Sequence, residues 1–167
     1  MHIFKHLFTW LVGFVFVFVT SALLPELGNA DPGAQVFKVA ANSSPVGMWK
    51  TLDDKTGEAR SFIKVWTEKG ELFGKIEKLV RKPDENPNPL CDKCPDEKKN
   101  KPVIGMTVLW GLKQDGDEWT GGYILDPDDG KTYNCKVELV DGGKKLEVRG
   151  FIGFALIGRT QTWVRAE

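Results

Sequence analysis

The residues best equipped for chemistry are Cys91-Asp92-Lys93-Cys94, two thiols three positions apart in the most proline-rich stretch of the chain. That spacing suits a metal site, thiol exchange or a local bridge. A structural zinc site takes four ligands. Both histidines, His2 and His6, lie in the opening segment, and Cys135 is the one other cysteine, so no metal is expected. Thioredoxin-like exchange places the motif at a helix start, whereas Pro83, Pro87, Pro89, Pro95 and Pro102 surround it here. The preferred reading is a Cys91 to Cys94 disulfide formed in an oxidising compartment, with Cys135 a buried thiol. A bridge from Cys135 to one of the loop cysteines is the alternative.

Catalytic groups are otherwise scarce. Without a histidine beyond residue 6 there is no Ser-His or Cys-His nucleophile, and the usual base near neutral pH is missing. Asp53, Asp54, Asp126, Asp128 and Asp129 fall in turns, where Asp hydrogen-bonds its own backbone. As a calcium set, Asp126, Asp128 and Asp129 lack the longer spacing of a calcium loop. No catalytic residue and no cofactor are expected. The 23 basic and 23 acidic residues cancel, which leaves no electrostatic footprint for nucleic acid and no polybasic membrane patch.

The first thirty residues read as an export signal. Lys5 precedes an apolar run over 7–24, and Gly28-Asn29-Ala30 offers small residues for cleavage after Ala30. An uncleaved anchor is the alternative, because the run is near the lower limit for a membrane span. Cleavage leaves about 137 residues, enough for one core. Residues 31–44 lack alternation and read as a flexible lead-in to a domain over 45–167.

That domain must position whatever site exists, and its pattern is all-β. Strands are expected at 46–52, 60–67, 71–80, 103–112, 119–125, 132–140, 145–151 and 155–165, joined by Gly- and Asp-rich turns. Residues 81–102 interrupt this rhythm as a Pro-rich surface loop. No ten-residue helical pattern follows the opening segment. Eight strands in hairpin order remove their edges by closing into a single antiparallel up-and-down barrel. Alternation puts Ile104, Met106, Val108, Trp110 and Leu112 on the inward face, with Tyr133, Cys135, Val137 and Leu139 sharing a face of their own strand. Met106, Trp110, Tyr123 and Tyr133 are the candidate wall of a ligand cavity, with apolar bodies and a few polar tips.

Gly47-Met48-Trp49 opens the first strand and Trp163-Val164-Arg165 closes the last. A Trp there can lie across one end of the barrel, with an Arg from the last strand stacked on it and bonded to main-chain carbonyls. This resembles the lipocalin and calycin superfamily. The resemblance implies Trp49 as the barrel floor and Arg165 as its cover, with Arg159 the other candidate.

Further words recur in order: Asp53-Asp54-Lys55-Thr56-Gly57, Cys91-Asp92-Lys93-Cys94, Pro102-Val103-Ile104-Gly105-Met106, Asp126-Pro127, Gly130-Lys131-Thr132-Tyr133 and Gly158-Arg159-Thr160-Gln161-Thr162-Trp163. That succession resembles the exported bacterial family known as domain of unknown function 2147. The resemblance implies a Gram-negative periplasmic protein of unsettled activity. Two function classes follow. One is a carrier or sensor of a hydrophobic or lipid-like small molecule. The other is a non-enzymatic module with a filled barrel that docks an envelope protein through the Cys loop.

Overall fold

The computed structural model describes residues 44–166. The expected signal segment 1–30, its cleavage point and all of the lead-in except Ser44 lie outside the described residues. Eight strands run β1 (Gly47–Leu52), β2 (Ala59–Glu68), β3 (Glu71–Leu79), β4 (Thr107–Asp115), β5 (Glu118–Asp126), β6 (Lys131–Val140), β7 (Lys145–Phe151) and β8 (Gly158–Arg165). Each pairs antiparallel with the next. The sheet closes through β1 and β8, with Trp49 opposite Arg165 and Lys50 opposite Val164. Up-and-down order sends alternate connections to opposite ends. Tight turns after β2, β4 and β6 make a floor; the longer loops after β1, β3, β5 and β7 surround a mouth.

Inward side chains stack in tiers. Trp49, Val65, Leu72, Leu112, Val137 and Leu146 fill the floor half and are buried almost completely. Trp49 closes the bottom, its indole N–H donating to the Pro45 carbonyl at 2.7 Å. The Arg165 guanidinium carbon lies 4.2 Å from the centroid of the Trp49 ring. Its nitrogens donate to the carbonyls of Gly143 (2.7 Å), Val46 (3.1 Å) and Ser44 (2.8 Å). One side chain thereby satisfies three main-chain acceptors and covers an aromatic face.

Arg159 does not share this place. Six residues earlier on β8, about 20 Å away at strand rise, it sits at the mouth and pairs with Asp54.

Two strands start later than the pattern suggests, each for a local reason. Residues 103–106 turn instead of extending, because Gly105 takes a φ of +86° and the Met106 N–H reaches back to the Val103 carbonyl at 3.2 Å. Residues 155–157 belong to a loop closed by Ile157 N–H donating to the Phe154 carbonyl at 3.0 Å. Of the 104–112 series expected inward, Met106, Val108 and Leu112 are buried, with Val108 lining the cavity, while Ile104 and Trp110 are corrected. Gly111, at φ +74°, resets the alternation within β4. Leu109 and Leu112 are fully buried, while Trp110 turns outward.

The sulfurs are placed distinctly. Cys91 and Cys94 form a disulfide across 5.4 Å between Cα atoms, and both are buried. Cys135 is a free thiol inside the barrel, where burial pushes its pKa up to about 12.

Two measurements check this account. Trp49→Ala should cost about 3–5 kcal/mol in urea unfolding. Arg165→Ala should cost about 1–2 kcal/mol, and less than that once Trp49 is gone, since the pair acts as a unit. The Cys135 thiol ionises near pH 8.5 once unfolded and near 12 when folded, so the contribution it makes is intact below pH 8.5 and is lost as pH rises toward 12. Cys135→Ala should therefore show a shallower loss of stability between pH 8 and 10.5 than the wild type. Native alkylation at pH 8 should leave Cys135 unmodified.

Candidate functional site

Above the floor tier the barrel is hollow. A cavity of about 660 Å³ occupies the mouth half, so the interior is not filled throughout. Ile63, Ile76, Ile124, Leu125, Val148 and Trp163 provide apolar wall from β2, β3, β5, β7 and β8. The void exists because the inward positions nearest the mouth carry Thr51, Ser61 and Gly150 where the floor tier carries Leu, Val and Trp.

The polar groups of this interior are already matched. Thr51 and Ser61 hydroxyls share a hydrogen bond of 2.7 Å, and the Trp163 indole N–H donates to Gln161 Oε1 at 3.3 Å. The Tyr133 hydroxyl donates to Asp129 Oδ2 at 2.6 Å, and that carboxylate raises the phenol pKa to about 12. Partial burial pushes the Asp129 carboxyl upward, but the Tyr133 hydroxyl, the Lys131 N–H and the nearby Lys131 and Lys93 ammoniums together hold it below its ordinary value.

Full charges sit on the rim. Arg60 pairs with Asp128 at 2.6 Å, which raises the guanidinium pKa further, and Arg159 pairs with Asp54. Arg81 and Lys93 line the same opening. The arrangement can hold an apolar body inside and a polar end at the rim.

The Cys loop roofs part of this mouth. Cys91 exchanges main-chain bonds with Lys101 (2.9 Å) and Asn100 (2.8 Å), and the Val103 N–H donates to the Pro89 carbonyl at 3.0 Å. Leu90, Asp92, Lys93 and Val103 thus reach the cavity. The Lys93 ammonium donates to the Asp128 carbonyl at 2.8 Å, pinning the roof to the β5–β6 turn. Gly130 in that turn has a φ of +74°, and a Cβ there would overlap the Lys93 carbonyl. Close backbone approach demands glycine.

Of the four residues expected to line a cavity, Tyr133 does so. Met106 is buried in the core but does not face the void. Trp110 and Tyr123 lie outside, corrected by the resetting of β4 and its register with β5. Their rings pack 5.9 Å apart, Tyr123 is 45% exposed, and the Lys98 ammonium sits 3.9 Å above Trp110. The aliphatic wall escaped a reading drawn to aromatics, although alternation along β2 and β7 carries it in plain form. Asp53, Asp126 and Asp129 serve their own turns, whereas Asp54 and Asp128 pair with rim arginines instead. Asp53 Oδ1 accepts from the N–H groups of Thr56 and Lys55, both at 3.0 Å, which lowers its pKa. Asp126 Oδ1 accepts from Asp128 N–H at 2.9 Å. Among the described residues no three acidic, Cys or His side chains converge as a metal set.

A family model described as an uncharacterized protein conserved in bacteria (DUF2147) matches residues 47–165, the whole barrel from the first strand to the last. The chain belongs to this family. One solved structure with a similar fold is a Helicobacter pylori protein, HP1028, described as belonging to the lipocalin family. It is 22% identical, the match covers 74% of this chain and 84% of that one, and the TM-score is 0.64. At that identity the likeness establishes a shared lipocalin-like fold. No curated protein matches the chain.

Gly130→Ala tests the seating of the roof in this DUF2147 barrel. It should cost about 2 kcal/mol or more, because both the φ and the Lys93 carbonyl forbid a side chain. Limited proteolysis should then cut within residues 81–102 faster than in the wild type.

Proposed function

We propose that this protein is a non-enzymatic binding protein of the bacterial periplasm, a carrier or sensor for a hydrophobic or lipid-like small molecule. The observation that carries this reading is the cavity of about 660 Å³ with an aliphatic wall and a charged rim. Its size is that of a small-molecule site, and its internal polar groups already satisfy one another, so an apolar guest enters without stripping water from an unpaired donor. No charged side chain faces the deep wall. The guest's body is therefore uncharged, and any anionic end belongs at the rim near Arg60, Arg81 and Arg159.

Two features support an exported location. One is the signal-like composition of residues 1–30, and the other is a disulfide of the kind that persists outside the cytosol. The scarcity of ionisable catalytic groups in the barrel supports binding over turnover.

The test is displacement of a fluorescent fatty-acid probe, with quenching of Trp163 as an intrinsic readout. A true ligand at a hundredfold excess over its Kd should stabilise the fold by about 2.7 kcal/mol. Val148→Trp, which puts an indole into the void, should weaken probe binding while the protein stays folded. Trp110→Ala and Tyr123→Ala should leave binding unchanged. Absence of displacement and of any thermal shift across fatty acids, quinones and aromatics would overturn the reading.

A further inference from the structure

The loop between β7 and β8, residues 152–157, is Ile-Gly-Phe-Ala-Leu-Ile, six residues without a polar side chain. It projects from the mouth with Ile152 64%, Phe154 81%, Leu156 92% and Ile157 69% exposed. Four large apolar side chains on one tip are an uncommon liability unless something covers them. We propose that this tip inserts into the surface of a lipid bilayer and seats the open end of the barrel against it.

Three observations favour a bilayer as the occupant. The first is that four of the loop's six carbonyls, those of Phe154, Ala155, Leu156 and Ile157, already have donors within the protein. The Arg149 guanidinium donates to the loop carbonyls of Ala155 (2.7 Å) and Leu156 (3.3 Å) and to the Thr160 hydroxyl (3.0 Å). Ile152 and Ile157 N–H groups donate to the Ile157 and Phe154 carbonyls. Backbone groups entering the apolar layer must find such partners within the protein.

The second observation is charge. Residues 148–160, the mouth-end part of the hairpin, hold Arg149 and Arg159 and no carboxylate. Arg149 and Arg159 flank the apolar tip at its base, with Asp54 of the neighbouring turn beside Arg159. Cations at that level face lipid phosphates when the tip is inserted. The third is continuity, since Ile152 and Ile157 are at once exposed and part of the cavity lining. An inserted tip would join the cavity to the membrane interior by an unbroken apolar path. That last point rests on the binding reading above, but the insertion itself does not.

The experiment attaches a solvatochromic NBD fluorophore to Phe154→Cys in the full chain, Cys135 being buried and the other cysteines bridged. A second label at Asp117→Cys, in the floor-end turn, controls for tethering elsewhere. With vesicles of phosphatidylethanolamine and phosphatidylglycerol the label at 154 should shift to the blue and the label at 117 should not. In unlabelled protein, Phe154→Asp with Leu156→Asp should weaken vesicle partition about tenfold or more, while thermal unfolding and fatty-acid probe binding stay as in the wild type. Docking is overturned if the label at 154 does not respond to vesicles or both labels respond alike. A shift that grows with protein concentration in the absence of lipid also overturns it, because it marks a second copy as the occupant. A response at 154 in protein that binds no fatty-acid probe sustains docking and removes the carrier reading; probe binding without that response does the reverse.

Discussion

Closure of the sheet on itself is the constraint on which the rest depends, and one contact secures it. Arg165 holds the end of β8 against the start of β1 by covering Trp49 and gathering carbonyls from Ser44, Val46 and Gly143. An open eight-stranded sheet of this kind would leave two hydrogen-bonding edges bare. Joining them hides both and turns one face of every strand into an interior. With the floor packed solid around Trp49, the stability of the molecule is concentrated in one half, which frees the other to remain hollow.

That division is made with few residue types. Below, Leu, Val and Trp interdigitate. Above, hydroxyls and glycine take the inward positions nearest the mouth, and the matched pair of Thr51 and Ser61 lets polar atoms stay buried without water. Charges are displaced to the rim and spent on one another. The Cys loop, the least regular part of the chain, becomes ordered by leaning on the β5–β6 turn, where Gly130 admits the Lys93 carbonyl.

Much of this was legible in the residues. Period-two alternation and Asp-Gly turns gave strand number and order, and the end words Gly47-Met48-Trp49 and Trp163-Val164-Arg165 marked the two strands that meet. The spacing of Cys91 and Cys94 favoured a local bridge without excluding one to Cys135, and the local bridge is the one present. What misled was phase. Gly105 and Gly111 both adopt left-handed conformations; the first turns the chain before β4 begins, and the second breaks the count of inward and outward positions within it. A sequence displays that glycines are present but not which of them turn, so alternation points Trp110 to the wrong face, while an aromatic body with a polar tip is no guide to where Tyr123 faces. Arg159 was a plausible cover by parity alone. Parity specifies a face and says nothing about height along the barrel.

The contact between Trp49 and Arg165 also sets an order of events. Residue 49 lies in β1 and residue 165 in β8, so the ring cannot shut until β8 is available. Seven pairings can form between neighbouring strands as the chain emerges, but the eighth waits for β8. Until then β1 keeps a free edge, and the chain is open to wrong partners. The cover of the floor is thus the last piece of the barrel delivered, and closure follows, instead of accompanying, synthesis of the other seven strands.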